Sequence, residues 1–332
     1  MRSTTRHQVY LSLVPIVTLS CLEGDWRAGR EYSDRGLEAS PLNPQLLAPR
    51  VLLEYETGEY AQGDFYIERL LESIRPASSV GVSAGRPSMV IAAIARITGV
   101  PGRWEIAESD AEATLSAQFV RPVATLYAKA GLALLAVQRG DQFAAEEHYA
   151  FLLRQRGTMI WTLSSADRLL GLLSQTMGNL DQATGHLEEA LTFCRKGGYR
   201  PELAWTCHDY ADALFQRGIP HDREKAVSLL DESLAISTEL GMRPLMEKVT
   251  TRQENLVVQP ARTREYPSNL TERQWEVLQL LAQGKTNREI AQALVLSDRT
   301  VQRHIADIYG KIGARNRSEA TAFALSQVET PK

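Results

Sequence analysis

A short motif recurs along this chain at long, near-regular intervals: a turn glycine, an aromatic residue or leucine, then an alanine a few positions on. It occurs at Gly24/Trp26/Ala28, Gly58/Tyr60/Ala61, Gly102/Trp104/Ala107, Gly140/Phe143/Ala145 and Gly178/Leu180/Ala183, with a looser sixth copy at Gly218 and Ala226. Counted from Trp26, the intervals are 34, 44, 39 and 37 residues. Periods of that size belong to paired-helix repeats, each too small to bury its own apolar face and obliged to stack on its neighbours. The runs between the turns carry the spacing that stacking needs. Val123, Tyr127, Ala130, Leu134 and Val137 step by four and three, as do Leu203, Cys207, Tyr210 and Leu214. Leu180, Ala183, Leu187, Ala190 and Cys194 form a matching stripe. No alternating strand pattern of useful length competes with these. The sequence predicts an all-α chain whose residues 1–258 form a helical-repeat array, with a concave groove suited to a peptide or another helix.

The 332 residues are enough for two or more domains, and 44% hydrophobic with 23% charged residues is ordinary for a soluble globular protein. The formal net charge of −3 argues against nucleic acid only if it is averaged. Residues 261–332 hold 11 Lys/Arg against 8 Asp/Glu, net +3, while the preceding residues hold 26 against 32, net −6. Positive charge is thus gathered at one end, as an electrostatic footprint on DNA requires. Cys21, Cys194 and Cys207 are odd in number and widely spaced, which fits a reducing cytoplasm. Arg2 and Arg6 precede an apolar run from Val9 to Leu19 that faintly imitates an export signal. The run is too short to span a membrane and is interrupted by Pro15, so a first repeat helix is expected there, and no membrane partner. Gln259–Ser268, with two prolines, mixed charge and no apolar period, is the expected linker.

Beyond the linker, stop and start signals alternate quickly. Thr271 caps a first helix, with Gln274 placed to complete a capping box, and Gly284 ends it. Thr286 caps a second helix carrying Ile290, Ala291 and Leu294. After Val295 and Leu296, Ser297 caps a third. A short helix, a tight turn and a longer helix are the signature of a helix-turn-helix. In the third helix Val301, Ile305, Ile308 and Ile312 form a buried stripe, and the opposite face carries Arg299, Gln302, Arg303, Ala306 and Gly310. Arg pairs with guanine and Gln with adenine through two contacts each, and Ala306 and Gly310 let the helix sit deep in a major groove.

Residues 270–325 resemble the C-terminal DNA-binding domain of LuxR-type transcription regulators. The resemblance rests on Leu270-Thr271, Glu276-Val277-Leu278, Leu281-Ala282, Gly284, Asn287, Glu289-Ile290-Ala291, Leu294, Ser297, Thr300-Val301, His304, Ile308, Lys311, Gly313, Arg317 and Ala320. It implies a four-helix domain at 269–328 whose third helix enters the major groove. The fourth, about Ser318 to Gln327, would help pair two copies on double-stranded DNA. It implies base contacts from Gln302, Arg303 and Ala306, with Arg299 on the same face, and backbone contacts from Lys285, Thr300 and Lys311. Gln302 departs from the Lys or Arg usual in the family, and Asp307 from Asn; an acid that close to phosphates lowers affinity. The repeats are TPR-like, without that repeat's full aromatic and proline signature, and similar to the arrays joined to such domains in large MalT-like regulators.

Catalytic and metal readings fail on spacing. Gly284-Lys285-Thr286 imitates the end of a phosphate-binding loop, but Gln279 stands where the earlier glycine is needed and no strand precedes it. His186, Cys194, Cys207 and His208 lack a closed zinc pattern, and cysteines on apolar stripes are usually core. No enzyme activity, cofactor or metal is therefore expected. The expected function is DNA-binding transcription regulation, with the array receiving an effector or a protein partner. The alternative is a helical-repeat adaptor whose C-terminal domain binds DNA weakly or not at all.

Overall fold

Within each repeat the chain must reverse in a few residues, and it does so on a glycine. In this computed structural model α1 (Arg2–Glu23) turns into α2 (Trp26–Ala39) at Gly24, and α3 (Pro44–Glu56) into α4 (Tyr60–Ile74) at Gly58. The same holds for α7 (Pro122–Arg139) and α8 (Gln142–Leu152) at Gly140, for α9 (Ala166–Thr176) and α10 (Leu180–Gly197) at Gly178, and for α11 (Arg200–Arg217) and α12 (Asp222–Leu240) at Gly218. All five glycines adopt φ between 62° and 84°, where a Cβ would be strained. The third pair, α5 (Arg86–Thr98) and α6 (Trp104–Ser116), differs from expectation. Gly99 (φ 71°) and Arg103 (φ 59°) take the left-handed positions there, and Gly102 does not. The pair's longer turn moves the reversal off the expected glycine.

The structure describes residues 2–74, 84–162, 164–219, 221–258, 267–270, 272–294 and 296–328. The chain divides into two compact units, Met1–Asn255 and Leu256–Lys332. α13 (Arg243–Val258) follows the six pairs. Of the expected linker only Pro267 and Ser268 fall among the described residues, in a single 3-10 turn (Pro267–Asn269).

In the first unit the leading helices of successive pairs pack on one another, α1 on α3, α3 on α5, α5 on α7, α7 on α9 and α9 on α11. The expected stripes face this core except at one end: Tyr127, Ala130 and Leu134 are buried, as are Ala183, Leu187, Ala190 and Cys194, but Val123 in the first turn of α7 is exposed. The array also curls until its ends meet, for α1 packs against α11. Trp26 Nε1 donates to Leu240 O at 2.7 Å, Arg243 Nε donates to Thr57 O at 2.9 Å, and Trp205 Nε1 donates to Glu56 Oε2 at 2.9 Å. These contacts join the two ends of the array. The array includes two cavities of about 380 and 330 Å³, both lined by His208.

Charge holds the closure together from inside. Arg168, Glu202 and Asp209 are each at most 7% exposed. Arg168 Nη1 donates to Glu202 Oε2 at 2.8 Å and its Nε lies 3.4 Å from Asp209 Oδ2, while Arg96 pairs with Asp209 Oδ1. Glu202 also accepts from Ser164 Oγ at 2.8 Å and Ser165 N at 2.6 Å. Those serines form β2 (Ser164–Ser165), antiparallel to β1 (Met159–Ile160), a hairpin absent from the sequence reading. Two-residue strands leave no alternation to detect; this hairpin exists because Glu202 pins it. Burial pushes the Glu202 carboxyl up, whereas at Asp209 the charges of Arg96, Arg168 and His208 outweigh burial and hold it down.

Among the described residues Glu56 is hydrogen-bonded to the Trp205 indole N–H alone, and burial pushes its carboxyl up to about 7. A raised carboxyl pKa stabilises the fold below its unfolded value and loses that contribution as pH rises towards the folded one. Unfolding free energy should therefore fall between pH 5 and 7 by up to about 1.4 kcal/mol per pH unit from this group. Glu56→Gln keeps an acceptor for Trp205 without the charge. Its melting temperature should exceed the parent's at pH 8 and match it at pH 5; parallel pH profiles for the two chains would refute this.

α1 spans the apolar run near the N-terminus, with Leu13, Val17 and Cys21 buried four residues apart. Among the described residues no helix is long and apolar enough to cross a membrane. Burial pushes the Cys21 and Cys194 thiols up to about 12 and raises Cys207 as well, so none is poised as a thiolate.

Candidate nucleic-acid interface

The second unit is assembled by its caps. α14 (Glu272–Ala282) ends before Gly284 at φ 83°. Its expected N-cap, Thr271, lies outside the described residues, as does Val295 of the turn. α15 (Asn287–Ala293) starts in a full capping box: Glu289 N donates to Thr286 Oγ1 at 3.3 Å, and Thr286 N donates to Glu289 Oε2 at 2.7 Å. Leu296 N returns to Ala291 O at 2.8 Å, closing the turn tightly. α16 (Asp298–Ile312) starts at Ser297, whose Oγ accepts Thr300 N at 3.1 Å, and stops at Gly313, φ 72°. α17 (Arg317–Val328) completes the unit. The Arg317 guanidinium donates to Lys285 O, tying the start of α17 to the end of α14.

The core of this unit fixes which side of α16 is left over. Val301 and Ile308 are fully buried with Leu278, Leu281, Ile290 and Ala320, and Ile305 and Ile312 are half-buried beside them. The reverse face presents Arg299, Gln302, Arg303, Ala306 and Gly310, all exposed. At about 100° per residue these five fall within roughly a quarter of the helix circumference. Among the described residues neither Arg299 nor Arg303 has an ion-pair partner, so their guanidinium donors are available. No heavy atom lies within 4 Å of a Cβ built at Gly310, so this end of the face is open.

Thr300, Asp307 and Lys311 share a flank of α16, with the acid between the other two. Thr300 Oγ1 is hydrogen-bonded to Ser297 Oγ at 2.7 Å. Lys311 Nζ donates to Gln274 Oε1 at 2.8 Å, so this lysine also joins α16 to α14, a role its spacing did not announce. Lys285 is half-buried where α14 gives way to α15, apart from the α16 face, and its carbonyl is the one that Arg317 binds. His304 is half-buried.

Residues 268–324 match the family described as bacterial regulatory proteins, luxR family. The chain is similar to the spore germination protein GerE of Bacillus subtilis, 43% identical over 60 residues, which are 18% of this chain and 81% of that protein. It is also similar to the transcriptional regulatory protein LiaR of B. subtilis, 41% identical over 56 residues, 17% of this chain and 26% of LiaR. A longer match, 26% identical over 194 residues, joins 45% of this chain to 21% of the HTH-type transcriptional regulator MalT of Vibrio campbellii. That share is too large for the C-terminal unit alone and takes in part of the helical repeats. The chain thus spans about a quarter of LiaR and a fifth of that MalT.

Proposed function

The chain belongs to the luxR family of bacterial regulatory proteins, whose helix-turn-helix domain it carries at residues 268–324, and on that premise we propose that it regulates transcription by binding duplex DNA in the cytoplasm. α16 enters the major groove in this proposal. Gln302, Arg303 and Ala306 meet base edges, Arg299 borders them, and Lys285, Thr300 and Lys311 meet phosphates that set the register. The observation that carries it is the exposed face of α16: two guanidinium groups without an ion-pair partner among the described residues, one amide and two small residues, backed by a buried valine and isoleucine. Two copies act together on two half-sites. Leu325, 57% exposed near the end of α17, supports a pairing surface there. The repeat unit receives the signal, from an effector or from a protein or peptide partner held on its concave face.

Selecting bound sequences from a random duplex pool with the full chain tests this, since a regulator enriches a paired motif. Failure to enrich any sequence, with only weak binding that vanishes at moderate salt, would favour the adaptor instead. Lys311 divides two roles. If it contacts phosphate, Lys311→Gln weakens binding to all duplexes alike and lowers the salt slope by about 1. A slope that does not change would confine Lys311 to its bond with Gln274.

A further inference from the structure

Away from the DNA-facing unit, α9 and α10 bring together a donor set that no local spacing announces. Asp167 stands in the first turn of α9, and His186 and Glu189 lie three residues apart on α10. One donor atom from each lies within 4.8 Å of the other two. His186 Nδ1 is 4.0 Å from Asp167 Oδ1 and 3.8 Å from Glu189 Oε2. The Asp167 and His186 side chains are 3% and 8% exposed, and among the described residues Asp167 Oδ1 and His186 Nδ1 have no hydrogen-bond partner. Buried polar atoms without partners are uncommon and costly.

The other atoms of these groups are held in place. Asp167 Oδ2 accepts Gly157 N at 2.7 Å, so Oδ1 is turned towards His186. The Tyr149 hydroxyl is 2.9 Å from His186 Nε2 and orients the ring. If Nε2 carries the proton and donates to Tyr149, the Nδ1 lone pair faces two carboxylates. If Nδ1 carries it, the nearest acceptors are 3.8 and 4.0 Å away, beyond a hydrogen bond. Neither tautomer is satisfied by the protein. The cation at hand is Arg156, whose Nε is 3.7 Å from Asp167 Oδ1 and whose Nη2 donates to Glu189 Oε2 at 2.6 Å. Its side chain is 48% exposed, and an ion pair that open contributes little.

We propose that Asp167, His186 and Glu189 bind a divalent ion of the zinc class, with water in the fourth position and Arg156 as the cation the ion displaces. One imidazole nitrogen and two carboxylate oxygens are donors zinc accepts, and the nitrogen disfavours calcium and magnesium. Tetrahedral ligation at about 2.1 Å separates donors by roughly 3.4 Å, so each His–carboxylate distance must contract by about half an ångström. The exposed Glu189 has room for that. Two carboxylates neutralise a dication, and the hydroxyl of Tyr149 on the far ring nitrogen supplies the outer partner that metal-bound histidines use. The ion would tie α9 to α10, and α8 to both through Tyr149 on the far ring nitrogen.

Cobalt(II), a visible stand-in for zinc, tests this on the full chain after chelator treatment. One ion per chain should produce d–d absorption bands, without a thiolate charge-transfer band, and zinc should displace it. His186→Ala should abolish the signal. Glu189→Gln, at an exposed position that does not threaten folding, should lower the affinity at least about tenfold, and Tyr149→Phe by about 10- to 100-fold. Arg156→Gln, by removing the competitor, should tighten binding. A silent cobalt spectrum, a thiolate band, or equal affinities for the parent, Glu189→Gln and Arg156→Gln chains would each overturn the site.

Discussion

Replacing Arg168 by alanine is expected to lower the unfolding free energy of the repeat unit by about 3–5 kcal/mol, the range for removing one partner of a buried ion pair. Arg168 is the charge that Glu202 and Asp209 share, and both carboxylates are buried with it. Asp209 would keep Arg96, but among the described residues Glu202 would keep only the two serines of the hairpin, whose hydrogen bonds do not offset a buried charge. The guanidinium also lies over the Trp205 ring, 5.8 Å from its centroid, and Trp205 in turn binds Glu56. Loss of Arg168 should therefore loosen the closure between the first and last repeats as well as the local packing. Urea unfolding of the full chain, followed by tryptophan emission, measures the first effect. Hydrogen exchange at α1 and α11 measures the second. Arg200→Ala, which breaks an exposed pair with Glu239, should change stability by less than about 1 kcal/mol. Two variants of equal stability would mean that the buried network contributes no more than a surface pair. Arg168→Ala combined with Glu202→Gln should recover part of the loss, because no uncompensated charge then stays beside the hairpin.

That network marks where legibility in the sequence ends. Helix caps and stripes are local: Thr286 with Glu289, Ser297 with Thr300, and Val301 with Ile308 lie within two turns of each other, so spacing alone places them. The turn glycines are legible for the same reason, because a left-handed residue is demanded by the turn itself. Gly102 misleads because the third turn is longer, and Gly99 and Arg103 take its place. The pairs that curl the array join residues more than a hundred positions apart, as Arg96 to Asp209 and Glu56 to Trp205. Nothing in the neighbourhood of either partner encodes the other. Stacking follows from the period, but how far the stack curls depends on these distant contacts. The donor set of Asp167, His186 and Glu189 is illegible for a related reason, since Asp167 comes from a different helix and no spacing rule joins it to His186. Lys311 illustrates the limit at the DNA-facing unit. Its flank was legible, but its bond to Gln274 was not.

Arg303→Ala should cost about 1–3 kcal/mol of binding at a single half-site, roughly 5- to 150-fold, and should relax selection at one base position. Two features of the structure separate this from a stability effect. Arg303 is exposed and, among the described residues, without an ion-pair partner, so its removal should leave unfolding within about 0.5 kcal/mol of the parent. The helix beneath it is fixed independently by Ser297, Gly313 and the buried pair Val301 and Ile308. If two copies bind together, each full site loses the contact twice and the cost roughly doubles. A monomer binding one half-site would not show that doubling, so the same measurement reports on assembly. Arg303→Lys should restore non-specific affinity but not the base preference, because an ammonium lacks the planar fork that grips two acceptors on guanine. Gln302→Ala should act at a neighbouring position of the site, since the two side chains emerge from adjacent residues of the same exposed face. Base preferences compared for parent, Arg303→Ala, Arg303→Lys and Gln302→Ala decide the matter. If all four select the same sequence with the same discrimination, α16 does not read bases through this face, and whatever DNA affinity the chain has comes from its phosphate contacts.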